Sequence, residues 1–214
     1  VIEDAAQSFG ATQGSTVACS MGEIACTSFF PAKPLGCYGD GGACFTDDDE
    51  LAGRLRAIRN HGGQKRHHHT RVGLNGRLDT LQAAVLLAKW PSFDNEVKAR
   101  ATAGARYNEL LKDVCTVPTL APGNTSVFAQ YTIRSSDRDG LKDALKACDI
   151  PSAIYYPKCL HEQPVFECYG YRWGDLPESE RASRDVISLP MHPWLSGEEQ
   201  STVADCVKQF EQTR

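Results

Sequence analysis

An α/β fold with a substantial parallel sheet is predicted, and three observations carry the prediction. Short apolar runs such as Ile24-Ala25-Cys26-Thr27-Ser28-Phe29-Phe30, ended by Pro31, read as buried strands. Stretches with apolar residues at helical spacing alternate with them. Acidic clusters and capping residues mark where those helices begin, and Gly or Pro marks where they stop.

Taken in order, Val1-Ile2-Glu3-Asp4 reads as the end of a strand, with no initiator methionine and no element before it. The chain is therefore expected to be a fragment that begins inside a domain. Residues 24–30 form the next strand, and a turn from Gly39 leads into a short strand that ends at Phe45. The acids of Thr46-Asp47-Asp48-Asp49-Glu50 gather where a helix N-terminus favours negative charge. Leu51, Leu55 and Ile58 then recur at helical spacing until His61-Gly62-Gly63. Residues 64–76 read as a polar loop. Leu78, Leu81, Ala84, Val85 and Leu86 mark a helix that Pro91 interrupts. The amphipathic segment from Phe93 to Leu111 suits a bridge between domains. Beyond it, Val127–Ile133 and Ala153–Tyr156 read as strands and Asp137–Cys148 as a helix. Ser196-Gly197-Glu198-Glu199 is a capping box opening a last helix with Val203, Cys206, Val207 and Phe210. The expected organisation is 1–92 as one domain, 93–112 as a connecting helix, and 113–214 as a small α/β domain.

Composition excludes some functions. The formal net charge is −4 and no block of like charge forms a basic patch, which argues against nucleic acid as a partner. No apolar run approaches a membrane span and no signal peptide is visible, so a cytoplasmic protein without a membrane partner is expected. Nine cysteines are present, an odd count with no C-x-x-C pair. Reduced thiols used as small apolar residues fit this pattern better than disulfides or zinc. His67-His68-His69 resembles a metal site or a tag remnant, but consecutive residues do not converge on one ion, and no metal is expected. Gly39-Asp40-Gly41-Gly42 is neither a dinucleotide fingerprint nor a Walker loop and reads as a tight turn.

The most informative stretch is Ser28-Phe29-Phe30-Pro31-Ala32-Lys33-Pro34-Leu35-Gly36-Cys37-Tyr38-Gly39. It sets one lysine between two prolines, behind an apolar strand and ahead of glycines. A lysine held rigidly near an aspartate, here Asp4, is what a pyridoxal phosphate enzyme needs. The amine forms the Schiff base, and the carboxylate keeps the pyridine nitrogen protonated so that the ring can take up electrons. The other reading of Lys33 is a surface turn residue. His161, in an aromatic and proline-rich setting, suits either a structural role or a loop over a binding cleft.

Four segments in order resemble the DegT-like nucleotide-sugar aminotransferases. They are Val1 to Gly10, Ser28 to Gly42, Gly73-Leu74-Asn75-Gly76-Arg77-Leu78-Asp79-Thr80-Leu81-Gln82, and Leu189-Pro190-Met191-His192-Pro193. The resemblance runs from Val1 to about Phe210. It implies the C-terminal part of a fold-type-I pyridoxal phosphate transferase, with part of a large mixed or parallel-sheet domain and a small α/β domain. Within the family, Phe29 to Tyr38 and Ala129-Gln130-Tyr131-Thr132 are similar to enzymes that aminate UDP-2-acetamido-2-deoxy-3-oxo-glucuronate for O-antigen and lipopolysaccharide sugars.

The resemblance also implies roles. Lys33 would hold pyridoxal 5′-phosphate and then move the proton between the amino donor and the cofactor. Asp4 would pair with the pyridinium nitrogen, Gln7 would lie near the phenolic oxygen, and Ser28 would hydrogen-bond the phosphate. Asn75 would reach the phosphate in the other subunit, making a homodimer part of the design. Arg77 and His161 would contact the sugar nucleotide or the donor carboxylate; a structural ion pair with Asp79 or a nearby acid is the other reading of Arg77. Glutamate would be the amino donor and a keto-sugar nucleotide the acceptor. Relatives that dehydrate sugars carry histidine at the lysine position, so transamination is preferred over dehydration. His67 stands where close relatives tend to have tyrosine. The family also has a front section that supplies a phosphate turn and a ring-stacking aromatic. Without it, the isolated chain is expected to be weakly active or inactive, and a non-catalytic fragment with an intact dimer surface is the alternative.

Overall fold

A computed structural model describes residues 1–213, which divide into two compact units. The first holds residues 1–101 and 120–129, the second 102–119 and 130 onward.

In the first unit β1 (Ile2–Asp4) is followed by a small hairpin, β2 (Thr12–Gln13) and β3 (Thr16–Val17), and then by β4 (Ile24–Ser28) and β5 (Gly42–Phe45). Strands β1, β4 and β5 form a three-stranded sheet in that order, β1 parallel to β4 and β5 antiparallel to it. The sheet is thus mixed, and β1–β4 is the one parallel pair among the described residues. The strand–helix alternation overstates the parallel content because β5 returns to β4 through a loop with no crossover helix, which a parallel partner would need.

Helix α1 (Asp49–Arg59) begins where the acidic cluster places it, and Asp48 caps it by accepting from the Glu50 and Leu51 N–H groups. The segment read as a polar loop contains a short hairpin, β6 (Gly63–Lys65) with β7 (His68–His69), and a bridge between Asn60 and Asn75. Helix α2 (Thr80–Lys89) passes through a 3₁₀ turn containing Pro91 into α3 (Phe93–Leu111). Phe29, Leu35, Cys37, Leu86 and Phe93 form the core beneath the sheet, with Phe9 and Val97 against them.

The second unit is built on β8 (Tyr131–Arg134), α4 (Arg138–Ala147), α5 (Pro177–Asp185), β9 (Val186–Leu189) and α6 (Gly197–Gln212). Strands β8 and β9 pair antiparallel, with Tyr131 opposite Leu189. Tyr131, Ile133, Leu141, Leu145, Ile187 and Val207 are fully buried there. Two strand expectations shrink. The run from Val127 becomes a strand only at Tyr131, because Phe128 has φ +40°, which breaks extension. Of Ala153–Tyr156, only Ala153 bonds a strand, exchanging both backbone hydrogen bonds with Ser188. All nine cysteines are free thiols, and Cys148 and Cys206 bring their sulfurs to 3.1 Å between α4 and α6. No helix among the described residues is long and apolar enough to cross a membrane.

Candidate functional site

Strand alternation divides β4 into two faces. Ala25, Thr27 and Phe29 point into the core and are buried, and the Thr27 hydroxyl donates to the Ala5 carbonyl at 3.1 Å. Cys26 and Ser28 take the opposite face. Asp4 is the register partner of Cys26 in the parallel pair, so its carboxylate shares that face. The Cys26 thiol reports this arrangement: burial raises its pKa, and the charge of Asp4 raises it further. Asp4 and Ser28 therefore stand on one face at the carboxyl ends of neighbouring parallel strands. Ligands of open α/β sheets bind at such ends.

Each of these side chains keeps bonding capacity in hand. The Asp4 Oδ1 accepts from the Ala6 N–H at 3.0 Å, and Oδ2 has no partner among the described residues. The Ser28 Oγ accepts from the Phe30 N–H at 3.2 Å, leaving its own proton to donate. Gln7 lies in the exposed turn after β1. Lys33 follows β4 in a turn closed by its own N–H to the Phe30 carbonyl at 2.9 Å. It is half-buried, and its amine has no hydrogen bond or ion pair among the described residues.

The loop around Lys33 is closely packed. The Phe29 carbonyl accepts both the backbone N–H of Cys37 at 2.8 Å and its thiol at 3.0 Å. At Gly36 a Cβ would stand 2.6 Å from the Pro31 carbonyl oxygen, so the chain closes on itself only because no side chain is there. Lys89 donates to the Gly36 carbonyl at 2.6 Å, and the Gln82 side-chain oxygen accepts from the Tyr38 N–H at 2.7 Å. Neither Gln82 nor Lys89 stands out in the sequence as a site residue. The available signal is spacing: with Leu86 they occupy positions i, i+4 and i+7 on one face of α2.

Asn75 and Arg77 are exposed on the segment that leads into α2. Arg77 Nε donates to the Asn75 Oδ1 at 3.3 Å. No ion pair joins Arg77 to Asp79 or to another acid among the described residues. His68 and His69 form β7 of the short hairpin, with His69 Nδ1 at 3.0 Å from the His61 carbonyl. No cluster of three or more potential ligands is disposed around a metal site among the described residues.

His161 belongs to the second unit. It is buried, with Nε2 at 3.0 Å from Glu180 Oε1, and that same oxygen accepts from the Gly174 N–H at 2.8 Å and the Leu176 N–H at 3.2 Å. A cavity of about 510 Å³ lies nearby in sequence, lined among others by Tyr155, Tyr156, Lys158, Leu160 and Gln163. Ser179, Ala182 and Ser183 of α5 and Val186 line it too, while the His161 ring is bonded to Glu180.

The model of the DegT/DnrJ/EryC1/StrS aminotransferase family matches residues 1–208. A curated relative, UDP-2-acetamido-2-deoxy-3-oxo-D-glucuronate aminotransferase of Pseudomonas aeruginosa, is 50% identical over 196 residues, covering 91% of this chain and 54% of its own. Among solved structures, a DegT/DnrJ/EryC1/StrS aminotransferase from Brucella abortus superposes with a TM-score of 0.94 at 50% identity, covering 98% of this chain and 57% of that one. NtdA from Bacillus subtilis, crystallised with bound cofactor PMP, superposes with a TM-score of 0.86 at 26% identity, covering 99% of this chain and 50% of that one. The chain spans little more than half the length of the curated relatives it matches.

Proposed function

Because the chain belongs to the DegT/DnrJ/EryC1/StrS aminotransferase family, whose members use pyridoxal phosphate, we propose that it carries the lysine side of a site that aminates the ketone of a sugar nucleotide. The observation that supports this best is the uncommitted amine of Lys33, on a locked loop that follows the strand presenting Ser28 beside Asp4. The donor set fits the cofactor: a free amine for an aldehyde, an open carboxylate oxygen for a pyridinium, and a hydroxyl proton for a phosphate. Bound pyridoxal phosphate supplies the electrophilic carbon and the electron-accepting ring.

The chain's residues do the rest. Lys33 Nζ binds the cofactor and then, as a free amine, carries the proton of the transfer. Asp4 keeps the ring nitrogen protonated by ion pairing. Ser28 donates to the phosphate, and Gln7 orients the ring from the phenolic side. Asn75 reaches the phosphate of the partner subunit's site in a homodimer. Arg77, oriented by Asn75, offers its planar fork to an anionic group of the donor or sugar nucleotide. His161, bonded to Glu180, is taken as a further contact for the sugar nucleotide or the donor carboxylate. We take glutamate as the donor, a UDP-linked 3-keto sugar as the acceptor, surface-polysaccharide (O-antigen) biosynthesis as the setting, and the cytoplasm as the location.

The test begins with cofactor capture. Added pyridoxal phosphate should give a band near the visible edge that borohydride fixes onto Lys33, located by peptide mass, and Lys33→Ala should abolish it. Incubation with glutamate and a UDP-3-keto sugar should then release 2-oxoglutarate. A folded protein with no band, or with label on another lysine, would sink the reading.

A further inference from the structure

The contacts that hold the Lys33 loop come from one stripe of α2. Gln82, Leu86 and Lys89 lie two turns apart end to end, on one helix face. Leu86 packs in the same core cluster as Leu35 and Cys37. Gln82 satisfies the Tyr38 N–H, and a Cβ at Gly39 would stand only 3.1 Å from its side-chain nitrogen. Lys89 satisfies the Gly36 carbonyl, and Gly36 itself is fixed from the other side by the carbonyls of Phe30 and Pro31. Two loop groups that strand pairing leaves unserved are thus served by side chains of a single helix. Neither contact touches the face that bears Asp4 and Ser28.

We propose that Gln82 and Lys89 are positioning residues that fix the loop from Gly36 to Tyr38 and so hold Lys33 at one place relative to Asp4. This rests on Lys33 being the cofactor lysine. The physical reason is geometric. An amine held at one place meets the cofactor in one orientation, whereas an amine on a loosened loop averages over many. A contact that merely stabilised the fold would lower the melting temperature and leave the pH profile of the bound cofactor's visible band alone.

The test uses Gln82→Leu and Lys89→Met, read singly so that each variant loses one hydrogen bond and keeps a good helix former. Amide hydrogen exchange at Tyr38, followed without cofactor, should accelerate by about tenfold or more in Gln82→Leu, the loss of one sheltering acceptor. With pyridoxal phosphate, the pH midpoint of the visible band should move by about half a unit or more in Lys89→Met, with label still on Lys33 after borohydride. If the wild-type protein is labelled at Lys33 and both variants leave exchange and pH midpoint unmoved, the positioning role is overturned while Lys33 keeps its assignment. If the wild-type label falls on another lysine, the Lys33 reading fails and takes this role with it.

Discussion

Gly36 and Glu180 show how single residues set local geometry in the two units. At Gly36 the obstacles to a side chain are backbone carbonyls at 2.6 and 2.8 Å, which cannot swing aside as a flexible side chain would. Gly36→Ala is expected to cost about 1–3 kcal/mol by overpacking. It should also raise the pyridoxal phosphate concentration needed for half-formation of the visible band, measured by absorbance titration. At Glu180, burial alone would raise the carboxyl pKa. Hydrogen bonds from Gly174, Leu176 and His161, with the charge of His161, outweigh burial and hold it below its ordinary value of 4.5. A carboxyl lowered in the folded state contributes stability that is full above its unfolded pKa and is lost as pH falls through the folded one. The difference in urea midpoint between wild type and Glu180→Gln should therefore be widest near neutral pH and narrow progressively below 4.5. Sequence reading singles out Lys33 because prolines and a strand end announce it locally. It left His161 between two readings because the deciding partner is 19 residues away and nothing in the spacing points to it.

The elements that local chemistry specifies are the ones the sequence makes legible. Helix α6 opens with a reciprocal box in which the Glu199 N–H donates to the Ser196 Oγ at 3.2 Å and the Ser196 N–H to the Glu199 carboxylate at 2.8 Å. Both halves lie within four residues. Ser196→Ala should cost about 1 kcal/mol, seen as a lower thermal midpoint. The acids ahead of α1 are equally local. Strand β9 and helix α5 escape sequence reading for opposite reasons. Val186–Leu189 is only four residues long, and Pro177–Asp185 is too polar to show an apolar stripe. Ala153–Tyr156 has the composition of a strand but only one residue finds a ladder partner, which composition cannot supply. The packing of α4 on α6 carries a larger expected effect. Leu145 is fully buried, and Leu145→Ala should cost about 2–5 kcal/mol by chemical denaturation, depending on how far the site collapses.

For the whole molecule, the proposed homodimer makes a distinctive expectation. If Asn75 serves the partner's site, Lys33→Ala and Asn75→Ala subunits should each be inactive alone but form a mixed dimer with one site intact. Random equal mixing should restore about a quarter of wild-type 2-oxoglutarate release, since half the dimers are mixed and each has one working site. No restoration would place Asn75 in its own subunit's site or in none. The alternation along the strand that leads to Lys33 has its own consequence. On β4 the core residues Ala25, Thr27 and Phe29 and the outward residues Cys26 and Ser28 interleave one by one. A one-residue slip in register would bring Phe29 into water and turn Ser28 into the core. The packing that keeps Phe29 dry therefore also keeps the Ser28 hydroxyl aimed.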